Sequence, residues 1–265
     1  MLMVDRFVTA NYKEELKILC DAIQNSQHSD GSLQLLVEDF EIRQQIWQLN
    51  WKPSRFKYLQ TKSAISFEML LQSCAKPSLI TRRKLAKVFA YSLFQLHESP
   101  WLSSQWDKDH IHFFYTDQGN LDLERPFLST SFDQFSLGPE PLNPHCFHPN
   151  LGLLKLSILL IEVHKWQPIE SFRCPTDLNN GVPTANTDMQ VAERVLSLMD
   201  DCYETYQGAI RECLNADWAT AGSRVSLEDL DTWNSVYKDV IEPLEIETKL
   251  AGASLADLRR IGALA

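Results

Sequence analysis

The chain has 265 residues, 44% of them hydrophobic and 23% charged, with a formal net charge of −10. That length suits one large domain or two small ones with a sizeable core. The acidic balance, with Asp and Glu concentrated after residue 188, argues against nucleic-acid and anionic-membrane binding, since both reward surplus Lys and Arg.

The opening MLMVDRFVTANYKEE lacks an apolar stretch of signal-peptide length. The longest apolar run, Leu151 to Val163, is interrupted by Lys155, Ser157 and Glu162 and falls short of the ~20 residues of a membrane span. Six cysteines, at 20, 74, 146, 174, 202 and 213, form no C-x-x-C pair. They read as reduced core thiols of a cytoplasmic protein.

Asn11 and Glu14 form a capping-box pattern ahead of Leu16, Leu19 and Ile23, so a helix is expected from Tyr12 onward. His28–Ser32 is a turn. Leu33–Phe40 reads as a strand, although Glu38–Trp47 is compatible with a helix start, and Trp51–Ser54 is a break. Phe67–Ser73 is a short helix. Thr81–Glu98 is a longer one, with Leu85, Val88, Phe89, Leu93 and Leu96 on one stripe. Lys76, Arg82, Arg83 and Lys84 read as its solvated start, and Pro100 closes it. Ile111–Tyr115 and Asn120–Leu123 suggest a β-hairpin.

Prolines at 126, 139, 141, 144 and 149 mark a long irregular loop. Asn150–Val163 is apolar nearly all round, as for a buried helix. Cys174–Asp188 is a second irregular loop. Val191–Leu214 reads as one long amphipathic helix. Ser226 is placed to cap a last helix, with Asp229 bonding back. The apolar face of that helix is Leu230, Trp233, Val236, Tyr237, Val240, Ile241 and Leu244. Ala253–Ala265 is a weak helix. The class expected is α+β, mainly α.

The block Leu96–His97–Glu98–Ser99–Pro100–Trp101–Leu102, followed by Trp106, Asp109 and Ile111, resembles a fungal family. This is the kinase-like C-terminal domain of proteins related to heterokaryon incompatibility and prion propagation. Ile65–Ser66–Phe67 before Leu70–Leu71, the Leu151–Glu162 helix, and Tyr237–Val240–Ile241 ahead of Pro243–Leu244–Glu245 extend the likeness over residues 60–247. It implies a protein-kinase-like C-lobe with a reduced or degenerate N-lobe. Residues 1–60 would then hold an N-terminal helix and a reduced N-lobe-like region, and residues 61–265 a helical domain with one β-hairpin. Relatives often carry an N-terminal membrane-acting helical domain, which this chain is expected to start too late to hold.

Laid on an active kinase, Asp109–Phe114 resembles the end of a catalytic loop entering a strand. Gly119–Leu123 resembles the strand that leads to the metal-binding Asp-Phe-Gly. Phosphoryl transfer needs an Asp to orient the hydroxyl, an Asn and an Asp for magnesium, and a Lys on the phosphates. By this resemblance Gln105 stands in place of the catalytic Asp and His110 in place of the Asn. Arg125–Pro126–Phe127 replaces Asp-Phe-Gly, and Gly152 stands where the buried helix usually carries an Asp. No G-x-G-x-x-G precedes residue 80. Losing every charge-stabilising group removes most of the rate enhancement, so the resemblance implies an inactive module with no cofactor and no ATP bound.

Other constellations carry less. His145–Cys146–Phe147–His148 is short of a zinc ligand set unless His110 or His112 joins it, and these read as loop or surface histidines. Asp107, Asp109, Asp122 and Glu124 read as turn and solvent residues rather than paired acid/base carboxylates. Trp101 and Trp106 flank the degenerate loop as a hydrophobic plug or an aromatic clamp. The expectation is an intracellular interaction or regulatory scaffold with protein partners, implied by the resemblance to act in fungal self/non-self signalling. Its partner surface would be Trp101, Trp106, His110, His112, Glu124 and Arg125. The alternative is an enzyme of another class with a repurposed pocket lined by His110, His112, Glu124 and Arg125.

Overall fold

The computed structural model describes residues 58–59, 61–97, 107–129, 148–216, 227 and 229–253, together with the backbone of short strands among the first 53 residues. The chain divides into two compact units, residues 1–59 with 116–118, and residues 60–115 with 119–265.

In the first unit, β1 (Met3–Val4), β2 (Lys13–Glu15), β4 (Gln34–Phe40) and β5 (Arg43–Leu49) form a four-stranded sheet in the order β1-β4-β5-β2. β4 and β5 are antiparallel, with Leu36 opposite Trp47 and Phe40 opposite Arg43. β1 joins β4 in parallel and β2 joins β5 antiparallel. β3 (Gly31–Ser32) pairs with β6 (Lys52–Pro53). The strand expected over Leu33–Phe40 is present. The helix expected from Tyr12 is not what Lys13–Glu15 adopt, because these residues pair with Trp47–Leu49. Nor does Glu38–Trp47 open a helix. Both are cases of tertiary pairing overriding a local pattern.

The second unit is mainly helical with one small sheet, so the chain is α+β, mainly α. β7 (Ile65–Ser66), β8 (Ile111–Phe113) and β9 (Phe127–Leu128) form it, with β8 in the centre and both pairings antiparallel. The expected second hairpin strand, Asn120–Leu123, contributes only a single bridge from Leu121 to Tyr115. Phe127–Leu128, read from sequence as the start of the irregular loop, supplies the ladder instead.

Seven α-helices are present among the described residues: α1 (Phe67–Ser73), α2 (Leu79–Leu96), α3 (Leu151–Lys165), α4 (Thr187–Ser197), α5 (Glu204–Asn215), α6 (Leu230–Val236) and α7 (Glu242–Gly252). Each early helix starts on a side-chain cap, a device that supplies about 1 kcal/mol. Ser66 accepts from Met69 N–H at 3.2 Å, Ser78 from Thr81 N–H at 3.3 Å, and Asn150 from Leu153 N–H at 3.0 Å. The single helix expected over Val191–Leu214 is two helices. Leu198 is 68% exposed and Tyr203 61% exposed in the break between them. Asp229 is itself the cap of α6, accepting from Thr232 N–H at 3.0 Å, whereas Ser226 and the expected helix beyond Ala253 lie outside the described residues.

α3 is the axis of this unit. Leu153, Leu156, Leu159, Leu160, Ile161 and Val163 are all buried against α2, α4 and α5. Burying each such side chain contributes roughly 1.5–3 kcal/mol. The helix ends at Trp166, whose φ of 59° is rare for a bulky residue. Its burial holds it there: the indole packs edge-on against Phe67 at 5.8 Å and its Nε1–H donates to the Cys74 carbonyl at 3.2 Å. No helix among the described residues is long and apolar enough to cross a membrane.

Candidate functional site

Among the described residues singled out from sequence, His110 and His112 lie on β8 and the turn before it. Asp107 closes that turn by accepting the Asp109 and His110 N–H groups on Oδ1 at 3.1 and 3.2 Å. The same oxygen lies 2.6 Å from His110 Nδ1. Ile111 and Phe113 point into the core and His112 to the other side. His112 Nε2 is 3.0 Å from Ser129 Oγ, and the Ser129 N–H donates to the His110 carbonyl at 2.8 Å. Burial, with His110 nearby, lowers the affinity of His112 for a proton.

Asp122 is buried at 6% exposure. Its Oδ1 accepts the Glu124 N–H at 3.2 Å and its Oδ2 accepts Arg125 Nε at 2.6 Å. Asp107 and Asp122 are thus turn-forming carboxylates, as expected, but Asp122 is not a solvent residue. Glu124 pairs with Lys84 at 2.7 Å on the surface, a contact worth no more than about 1 kcal/mol. His110, His112, Glu124 and Arg125 therefore each hold an intramolecular partner. Gly152 sits in the first turn of α3, where a Cβ would lie 2.9 Å from Leu93 Cδ1 and 3.2 Å from Asn150 Oδ1. A side chain there would crowd Leu93, so the glycine eases the approach of α3 to α2.

Trp101, Gln105, Trp106 and residues 130–147 of the proline-rich loop lie outside the described residues. So do His145 and Cys146 of the metal pattern. His148 lies in the loop before α3 as expected, but it is not a surface histidine. It is buried, accepts the Asn150 N–H on Nδ1 at 3.1 Å and has Nε2 at 2.9 Å from the Cys213 carbonyl. Both ring nitrogens are committed to backbone, and burial lowers the ring's affinity for a proton. Among the described residues no three His, Cys, Asp or Glu side chains converge as a metal site. The four described cysteines are free; Cys213 is buried in the core, but Cys74 is exposed and Cys174 and Cys202 are half-buried.

Two buried polar clusters were not anticipated. In the first, Lys108 reaches inward from the turn before β8 to Glu162 of α3 at 3.1 Å and also to Glu170. Glu162 accepts the Ile169 N–H at 2.9 Å. Burial pushes the Glu162 carboxyl up to about 7, with Lys108 and the Ile169 amide offsetting only part of that. Burial also works against the Lys108 charge, but the two carboxylates outweigh it and hold the ammonium above its usual range. A hydrogen bond with Asp109 raises the Glu68 carboxyl at the same edge.

The second cluster centres on Arg83, which is 1% exposed. Its Nε pairs with Glu247 at 3.1 Å, both terminal nitrogens lie 3.2 Å from His164 Nδ1, and its guanidinium sits 3.8 Å over the Tyr206 ring. Arg82 donates to the His164 carbonyl. Arg82 and Arg83 are buried, not the solvated start of a helix. Burial and the Arg83 charge push His164 down to about 4, although Asp201 Oδ1 lies 3.2 Å from its Nε2. The signal for the first cluster was in the sequence: Glu162 interrupts a helix apolar nearly all round, where a charge needs a partner.

The family described as a domain of unknown function (DUF7580) matches residues 4–250. No curated protein matches the chain.

Proposed function

The chain belongs to that family, and we propose that it is a catalytically inactive kinase-like module that acts as an interaction or regulatory scaffold in the cytoplasm, in fungal self/non-self signalling. The observation that carries the reading is Arg125. In the kinase-like alignment this position requires the carboxylate that holds magnesium. Here it is a cation bonded to Asp122 at 2.6 Å, so the neighbouring carboxylate is engaged as well. His110 is drawn to Asp107 rather than offered to a metal. The succession of elements after residue 60 supports the kinase-like assignment: a strand and short helix, a long helix, a small sheet, a buried helix, then peripheral helices.

Thermal melting with ATP, with and without magnesium, tests the inactivity. A ligand at a hundred times its Kd adds about 2.7 kcal/mol, which moves Tm by roughly 5–10 °C for a domain of this size. The expected result is an unchanged melt and no transfer of labelled phosphate. A magnesium-dependent rise, or turnover, overturns the reading. The scaffold role places the partner surface at Trp101, Trp106, His110, His112, Glu124 and Arg125. Substituting both tryptophans by alanine is expected to abolish partner capture, and undiminished capture removes that surface.

A further inference from the structure

A second surface lies on the last helical stretch and uses other residues than those just described. α6 passes into a π-helical turn, Tyr237–Ile241, and then into α7. Leu230, Trp233 and Tyr237 follow one another at helical spacing and so line one face. The Trp233 and Tyr237 rings stack at 5.8 Å with an interplanar angle of 6°. Phe94 of α2, itself buried, backs them at 4.4 and 6.1 Å. Leu230 is nonetheless 68% exposed and Tyr237 38% exposed. At one end the Tyr91 hydroxyl donates to Glu245 Oε1 at 2.8 Å.

An isolated exposed leucine needs no explanation. A stacked aromatic pair, anchored to the core, continuous with that leucine and interrupted by a π turn, has the composition of a recognition surface. The acidic composition of this stretch selects the occupant. Asp229, Asp231, Asp239, Glu242 and Glu245 lie on this stretch, with Lys238 as the one opposing charge between residues 229 and 245.

We propose that this aromatic ledge docks a basic, partly apolar peptide segment of a partner protein, in which Arg or Lys alternates with aliphatic residues. A guanidinium laid on an indole or phenol face gains cation–π attraction, the carboxylates complement its charge, and an aliphatic side chain covers Leu230. An acidic segment meets repulsion on this surface. So does a second copy of the same face, because a two-fold interface brings like charges together. The inference rests on α2, α6, the π turn and α7 alone and does not depend on the kinase-like reading.

Calorimetric titration of the full chain with an acetylated peptide of alternating Arg and Leu tests it, against the same peptide with Glu in place of Arg. Leu230→Ser and Asp231→Lys alter exposed residues and leave the core intact; Glu193→Lys, on the exposed side of α4, controls for general charge attraction. The expected result is salt-sensitive binding of the Arg peptide, weakened roughly fivefold by Leu230→Ser and by Asp231→Lys and left unchanged by Glu193→Lys. Absence of binding to the wild type, equal binding of the Glu peptide, or equal losses in Asp231→Lys and Glu193→Lys overturns the proposal.

Discussion

Gly152 shows how a single position can combine two explanations. In the proposed kinase-like alignment it would mark a missing carboxylate, and in the structure its surroundings crowd any side chain. A side chain there meets Leu93 Cδ1 at 2.9 Å, and Leu93 is 2% exposed, so it cannot swing aside freely. Gly152→Asp is expected to cost about 1–3 kcal/mol, as overpacking does, despite the favourable position of an acid at a helix start. Urea denaturation checks this, and an unchanged midpoint removes the packing explanation. Trp166 is the converse case, where the packing of one indole holds a backbone angle that its residue type disfavours.

Among the elements, α7 is held to the rest of its unit by charge as well as by Leu244. Arg83 of α2 and Glu247 of α7, each 1% exposed, are joined at 3.1 Å, and Thr205 of α5 donates to the same carboxylate. Removing one member of such a pair leaves a buried charge and costs about 3–5 kcal/mol. Arg83→Met should therefore be strongly destabilising, whereas Arg83→Met with Glu247→Leu should recover most of the loss. A double-mutant cycle in urea measures the coupling, and additive losses contradict it. The same element scale explains the strand correction. Leu121–Leu123 and Phe127–Leu128 are both short apolar segments after β8. Only backbone pairing to Ile111 and His112 distinguishes them, and hydrophobic pattern does not encode that choice.

For the whole molecule, two buried groups pull the pH dependence of stability in opposite directions. His164 binds its proton at about 4 when folded, against an ordinary 6.5. Its contribution is complete above pH 6.5 and is lost as pH falls to about 4. Glu162 ionises at about 7 when folded, against 4.5. Its penalty is complete above pH 7 and is relieved as pH falls to 4.5. Each displacement corresponds to about 3 kcal/mol. Relative to wild type, His164→Gln should gain stability on acidification from pH 7 to 4.5, and Glu162→Gln should lose it. Denaturation at several pH values checks both signs, and parallel curves for the three proteins contradict the assignment.

The sequence alone determined the class of fold, the extent of α1 and the burial of α3. Those features depend on periodicity, composition and the identity of single residues, all of which are local. Tertiary structure decided what each remaining charge does. Arg125 and His110 became the bonded partners of nearby carboxylates, and Arg82 and Arg83 went into the interior. Lys13–Glu15 became a strand because β5 lies alongside. A buried charge or an added strand is stable only through a partner distant in the chain, and distance in space is the quantity a residue pattern does not carry.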